Sequence, residues 1–131
     1  MYKPTLPVTI AILACLAAPL SFAAGNSAQE ISTASAHAQM AATATNKKTA
    51  DMHLHHVINC LVGPDGKDYD ASAGDPCQGM GNGALNDVQS TVTKKKLDHA
   101  LALANKGLHA SKLATAQHDA KWAVKTLNSA G

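Results

Sequence analysis

The sequence predicts an all-α protein, a small bundle of three to four helices that includes a C-terminal antiparallel hairpin. An apolar stripe with helical spacing runs through Leu54, Val57, Ile58 and Leu61. Two further amphipathic segments follow residue 86, with only a short break near residue 107. Between the stripe and these segments, residues 62–86 are rich in Gly, Pro and Asp. Such a composition predicts a long glycine-rich loop.

Residues 1–23 are predicted to be a signal peptide. Lys3 precedes an uncharged apolar run at residues 8–18, and Ser21 and Ala23 place small residues before a cleavage site. The apolar run is too short to span a bilayer. We therefore expect export to the periplasm, with residues 24–131 as a single helical domain and no stable membrane insertion after cleavage. A lipoprotein would need cleavage before Cys15, and the residues ahead of it fit that recognition poorly.

The composition of the remaining chain argues against nucleic acid as a partner. It contains ten lysines, no arginine and nine acidic residues, whereas nucleic-acid binding favours a concentrated basic face. Its only aromatic residues are Tyr69 and Trp122. The core must therefore consist of aliphatic side chains, alanine above all, and alanine buries little area per residue. A covalent staple would benefit such a core.

Cys60 and Cys77 are the two cysteines that follow the signal peptide. In an exported protein we expect them to form a disulfide. Closing a loop of about 18 residues contributes ~3 kcal/mol in the chain-entropy model. The alternative is a pair of thiolates that bind a metal beside His56, and an oxidising compartment favours the disulfide.

The segment 28–61 is predicted to be one helix or two. Ser27 and Glu30 match the capping-box pattern, which predicts a helix start near residue 28. The weakest helical signal lies at Thr45 and Asn46, where two helices would separate.

The C-terminal hairpin is predicted within residues 87–128. Its first helix extends from about residue 86 to Lys106, with a bend or a late start near residues 94–96, and Gly107 is its expected C′ residue. Its second helix covers about residues 110–127.

Four aspartates in the loop raise the possibility of a calcium site. Residues 68–72 begin like an EF-hand loop, but its sixth position is Ala73 and its twelfth is Gly79. An EF-hand requires glycine and glutamate there. The aspartates are therefore interpreted as turn formers.

The histidines of the segment 52–61 flank its apolar stripe. His53 and His56 lie on one flank at i, i+3 and can offer two nitrogens to one metal ion. His55 lies on the other flank, one turn after Asp51, which can orient its ring or form an exposed pair with it. A single site of all three is not expected. The predicted site is the His53–His56 pair, completed by another helix or by water.

A second candidate pair lies in the hairpin. If the turn is centred between Leu108 and His109, then His99 and His118 stand at the same level. Two residues must lie at the same height along the hairpin axis to share a site, but this alone is not sufficient. The alternative is that both histidines are solvated on the surface.

The helices also carry histidines next to alanines, and two hairpin sequences mirror each other: His37-Ala38, His109-Ala110, Asp98-His99-Ala100 and His118-Asp119-Ala120. In these pieces and in its leader, the chain resembles the small, exported, His-rich metal-binding proteins of bacteria, the SmbP-like family. The resemblance covers mainly residues 94–128 and, more loosely, 28–61. It implies periplasmic binding of divalent copper, nickel or zinc through imidazoles. The chain departs from that family in its lower histidine density, its glycine-rich loop and its cysteine pair.

The predicted function is sequestration or delivery of a divalent transition metal. The candidate ligands, in order of preference, are His53 and His56, then His99 and His118, then His55, His37 and His109. Met40 and Met52 would matter only for copper(I). The alternative is a structural or partner-binding helical protein whose histidines lie on the surface or sense pH. An enzyme is not expected, because the sequence has no nucleophile elbow, no haem-attachment motif and no clear acid–base pair.

Overall fold

The computed structural model describes residues 25–131, and the predicted signal peptide lies outside this part of the chain. Its five α-helices are α1 (Ser27–Thr43), α2 (Lys47–Val62), α3 (Ala84–Asp87), α4 (Thr91–Leu108) and α5 (Leu113–Asn128), with a short 3₁₀ turn at Ala71–Ala73. No helix between residues 25 and 131 is long and apolar enough to cross a membrane.

The four long helices form an antiparallel bundle. Helix α1 packs against α2 and α5, and α4 packs against α5 and α2. Ser35 in the middle of α1 donates to Asn128 near the end of α5 at 2.6 Å, and Gln117 near the start of α5 donates to the carbonyl of Ala44, which follows α1, at 2.8 Å. Helices α1 and α5 therefore point in opposite directions. The predicted helical bundle with a C-terminal antiparallel hairpin is confirmed.

Alanine dominates the core of this bundle. The predicted stripe of α2 is buried as expected, yet 12 of the 23 buried hydrophobic residues are alanines. The side of α1 that faces the core presents Ala34, Ala38 and Ala41, all fully buried. Because alanine keeps helix axes close together, side chains at the edges of the α1–α2 contact can reach each other.

The predicted capping box at the start of α1 is wrong. Asn26 is the N-cap, and its side-chain oxygen accepts from the amide of Gln29 at 3.1 Å. Ser27 is already helical, and Glu30 turns into the protein instead of back to the helix start. A competing tertiary partner, the amide of Gly83, accounts for the difference.

The segment 28–61 folds as two helices, separated at residues 44–46. Asn46 caps α2 by accepting from the amide of Thr49 at 2.9 Å. This asparagine therefore marks the start of the second helix, while α1 has already ended at Thr43.

The helix expected from residue 86 is divided. Helix α3 is a single turn, Val88 and Ser90 are extended, and α4 begins at Thr91 with Ser90 as its N-cap. The break therefore precedes the bend or late start expected near residues 94–96. Helix α5 begins at Leu113, three residues after the expected start.

Gly107 is not the C′ residue of α4 but lies inside that helix, which ends at Leu108. A Cβ at position 107 would come within 3.1 Å of the Leu54 side chain and 3.3 Å of the Ala116 carbonyl. This glycine therefore marks a close approach of α4 to α2 and α5, and not a helix end.

The long loop is tied to α2 by the predicted disulfide, which is confirmed. Cys60 and Cys77 are bonded, with their Cα atoms 5.2 Å apart. Two of the four loop aspartates act as turn acceptors, since Asp70 Oδ1 accepts from the amide of Ser72 and Asp75 Oδ1 accepts from the amide of Cys77, both at 2.9 Å.

Glu30 joins α1 to the start of α3. Its side chain is 1% exposed, and its Oε1 accepts from the amide of Gly83 at 3.0 Å. The pKa of Glu30 is raised from 4.5 to about 7, and burial is the largest cause. The hydrogen bond from Gly83 opposes this rise, while the nearby charge of Asp87 contributes to it.

We expect Glu30→Gln to stabilise the fold more at pH 8 than at pH 5. A carboxyl whose folded pKa is raised stabilises the fold below its unfolded pKa, and that contribution disappears as the pH rises through 7. The shift corresponds to at most about 3 kcal/mol. Urea unfolding of both proteins at the two pH values measures the difference. An equal change at pH 5 and pH 8 would show that Glu30 does not titrate in this range.

Candidate metal centre

Three histidines meet at the edge of the contact between α1 and α2. The Nδ1 atom of His37 lies 3.1 Å from Nδ1 of His53 and 3.2 Å from Nδ1 of His56. The three side chains are half-buried, and they can each offer one ligand atom within 4.8 Å of the others. His37 comes from α1, while His53 and His56 lie one turn apart on α2. The predicted pair is therefore completed by a neighbouring helix.

The loop sets the orientation of one of these rings. Nε2 of His56 lies 2.8 Å from the carbonyl oxygen of Ala73. Because a carbonyl only accepts, the proton of the neutral His56 ring must be on Nε2. Its Nδ1 therefore presents a lone pair to the cluster. Bonds of this kind to the outer nitrogen commonly hold a metal-binding histidine in the required tautomer.

The cluster has more lone pairs than protons. A proton on Nδ1 of His37 can point to His53 or to His56, but not fully to both. If Nδ1–H of His37 donates to Nδ1 of His56, no proton is left to form a hydrogen bond between Nδ1 of His37 and Nδ1 of His53. A cation placed among the three nitrogens would satisfy all of them at once.

The spacing of the nitrogens suits a shared metal ion. Zinc–imidazole bonds are about 2.0–2.1 Å long. Two nitrogens bound to one ion at that distance lie roughly 2.9 Å apart for a right angle and about 3.3 Å apart for a tetrahedral one. The Nδ1 separations from His37 to His53 and to His56, 3.1 and 3.2 Å, fall between these values. The donor set therefore fits a divalent transition metal.

The pKa values of two of the imidazoles, His37 and His53, are lowered at this site. Burial, followed by the neighbouring rings of His56 and His53, lowers the pKa of His37 from 6.5 to about 4. Burial, followed by His56, lowers the pKa of His53 as well. These two rings are therefore neutral at pH 7, which is the form that binds metals.

Asn59 holds the loop segment that contacts His56. Its side chain is fully buried, and its amide nitrogen donates to the carbonyls of Asp70 at 2.8 Å and Gly74 at 2.7 Å. Its oxygen accepts from the amide of Asp70 at 2.9 Å. The three bonds bracket Ala73, so Asn59 fixes the carbonyl that orients His56. The disulfide at the next residue, Cys60, fastens the same loop.

His55 stays apart from the cluster, on the other flank of α2. Its Nδ1 lies 3.6 Å from Asp70 Oδ2. Asp51, the partner considered from the sequence, instead forms an ion pair with Lys47. The acidic neighbour of His55 is therefore Asp70 of the loop, and not Asp51 of its own helix.

The hairpin histidines are not brought together. Among the described residues, no hydrogen bond or ring contact joins His99 to His118. His99 is exposed on α4. Both ring nitrogens of His118 are engaged, since Nε2 accepts from the Trp122 indole and Nδ1 donates to Asp119, each at 3.2 Å. His109 bonds to the carbonyl of Asn105 at 2.7 Å. None of these three faces another histidine.

A second group of metal-binding residue types consists of Cys60, Cys77 and Asp75. The two sulfur atoms are bonded to each other, so neither is a thiolate able to bind a metal. This group is therefore a structural disulfide. The alternative prediction, a pair of metal-binding thiolates beside His56, does not apply to the oxidised protein.

The sequence ranked His37 too low, although a signal for it exists. His37 and His53 lie at equal distances from Thr45. A chain that folds back at the weak point Thr45–Asn46 must place these two residues at the same level. That symmetry would have selected His37 as the third ligand.

Comparison of the chain with protein-family models, curated proteins and solved structures gives no match. The resemblance to the SmbP-like proteins therefore stays a prediction.

We expect Asn59→Leu to destabilise the fold by about 2–4 kcal/mol, because three hydrogen bonds from a fully buried amide to the loop backbone are lost. Urea unfolding measures this loss. In addition, ring ¹⁵N shifts should show that His56 no longer holds its proton on Nε2. Asn105→Ala is the matched control, since that amide makes only an exposed 3.4 Å bond to Asp68. An unchanged His56 tautomer would contradict the positioning role of Asn59.

Proposed function

We propose that this protein binds a divalent transition metal, copper, nickel or zinc, through His37, His53 and His56. The meeting of the three imidazoles, with Nδ1 of His37 at 3.1 and 3.2 Å from those of His53 and His56, carries the proposal. Imidazole nitrogen suits all three metals, and copper(II) has the highest intrinsic affinity among them. We further propose that the protein acts in the periplasm, as its leader predicts.

Sequestration or delivery fits this site better than a purely structural metal. The bundle already has a buried core and a disulfide to hold it. The three ligands are half-buried at the surface of the α1–α2 contact, so an ion can enter and leave without opening the core. With three protein ligands, a fourth position stays open to water or to another ligand.

Titration calorimetry with copper(II), nickel(II) and zinc(II) at pH 7.5 tests the proposal. We expect one strong site per chain, and His37→Ala should weaken it by roughly tenfold or more, because one of three imidazoles is lost. The same loss is expected for His53→Ala and His56→Ala.

The double variant His99→Ala/His118→Ala is the matched control, because it removes two histidines that lie apart from the cluster. It should leave the affinity unchanged. The metal proposal would be contradicted if the unmodified chain bound these metals only at millimolar concentration. It would also be contradicted if the control and the cluster variants lost affinity equally. The protein would then be better described as a structural or partner-binding helical bundle.

Metal binding should resist mild acid. Protons compete with the metal for Nδ1, so affinity falls as the pH falls. Three imidazoles with an ordinary pKa near 6.5 would lose roughly 50-fold between pH 7.5 and 6.0. Because the pKa of His37 is lowered to about 4 and that of His53 is lowered too, we expect a loss below about tenfold. Zinc competition assays at both pH values measure it, and a drop near 50-fold would contradict the lowered pKa values.

A further inference from the structure

Building on the proposed function, we propose that the same site also takes copper(I), and that the thioethers of Met40 and Met52 serve as its additional ligands. The three imidazoles would hold a divalent ion alone. Soft sulfur from these two methionines would make the site prefer copper(I) to zinc(II) and nickel(II).

The exposure of these methionines is the first observation. Met40 is 47% exposed and Met52 is 44% exposed. Among the described residues, the other exposed large hydrophobic side chains are Val92 on α4 and Trp122 on α5. The two helices that carry the histidine cluster therefore expose one large apolar side chain each. Both are methionine, the one aliphatic side chain with a metal-binding atom.

The helical register is the second observation. Met40 follows His37 by three residues on α1, and Met52 precedes His56 by four residues on α2. Residues at these spacings are neighbours on one helix face, about 5–6 Å apart at Cβ. Helical side chains lean towards the N-terminus. Met40 therefore leans over the turn of His37, and His56 leans over the turn of Met52.

The chemistry of the donors supplies the third argument. Copper(I) is a soft ion that thioether and thiolate ligands select, while imidazole suits copper in both oxidation states. The thiolates that could have competed for it are bonded to each other as the Cys60–Cys77 disulfide. Methionine sulfur lies on a flexible, unbranched side chain, so it can turn towards an ion held by the histidines.

The test is the affinity of the double variant Met40→Leu/Met52→Leu for copper(I) and for zinc(II). Leucine keeps the size and the apolar character of methionine and removes only the sulfur. Copper(I) affinity is measured without oxygen, in competition with a chromophoric copper(I) chelator, and zinc(II) affinity is measured by calorimetry. We expect copper(I) affinity to fall by about tenfold or more, and zinc(II) affinity to stay within about twofold.

Matched controls separate this proposal from the metal site itself. Met80→Leu removes the third methionine sulfur of residues 25–131, which contacts the Thr33 hydroxyl at 3.8 Å and which the proposal does not assign to the metal, and it should leave both affinities unchanged. A smaller loss of copper(I) affinity in the double variant, or an equal loss for zinc(II), would overturn the thioether proposal. The proposed function would survive that result as long as His37→Ala still weakens zinc(II) binding. If His37→Ala changes neither affinity, both proposals fail.

Discussion

The close approach of α1 to α2 is the constraint on which the site depends. Imidazole side chains are short, so rings from two helices can bring their nitrogens to 3.1–3.2 Å only if the helix axes are near each other. The fully buried alanines of α1 allow that distance. The same alanines bury little area per residue, and this explains why the fold also relies on a disulfide and on a buried asparagine. The thin core and the close approach of the three imidazoles have one common cause.

Glu30 and the histidine pair His37 and His53 act on stability in opposite directions. The raised pKa of Glu30 favours the folded state in acid, whereas the lowered pKa values of His37 and His53 favour it at neutral pH. Between about pH 4.5 and 6.5 these contributions offset each other. The free energy of unfolding of the unmodified protein would therefore change little with pH in this range. The separate pH dependences from Glu30 and from the histidines would appear only when one of these residues is replaced.

The fold was predictable from the sequence because its main signals are local. The apolar stripe of α2, the turn residues of the loop and the two cysteines each specify their structure without distant partners. The errors have the opposite character. Glu30 accepts a hydrogen bond from the amide of Gly83 instead of capping its own helix. Gly107 lies inside α4, where it allows the close approach of Leu54 and Ala116. Likewise, the pair His53 and His56 could be found on one helix, while the third ligand depended on where the chain folds back. The carbonyl of Ala73, supplied by the loop, has no signature in the sequence at all.

The turn at residues 44–46 places all three imidazoles on one continuous helical hairpin. The ligand set is complete within residues 37–56, before the loop and the C-terminal helices begin. Closing so short a loop costs little conformational entropy. An ion captured at this stage would hold α1 and α2 together before the rest of the bundle packs on them. The order of assembly, as well as the final affinity, can therefore depend on whether metal is present when the chain folds.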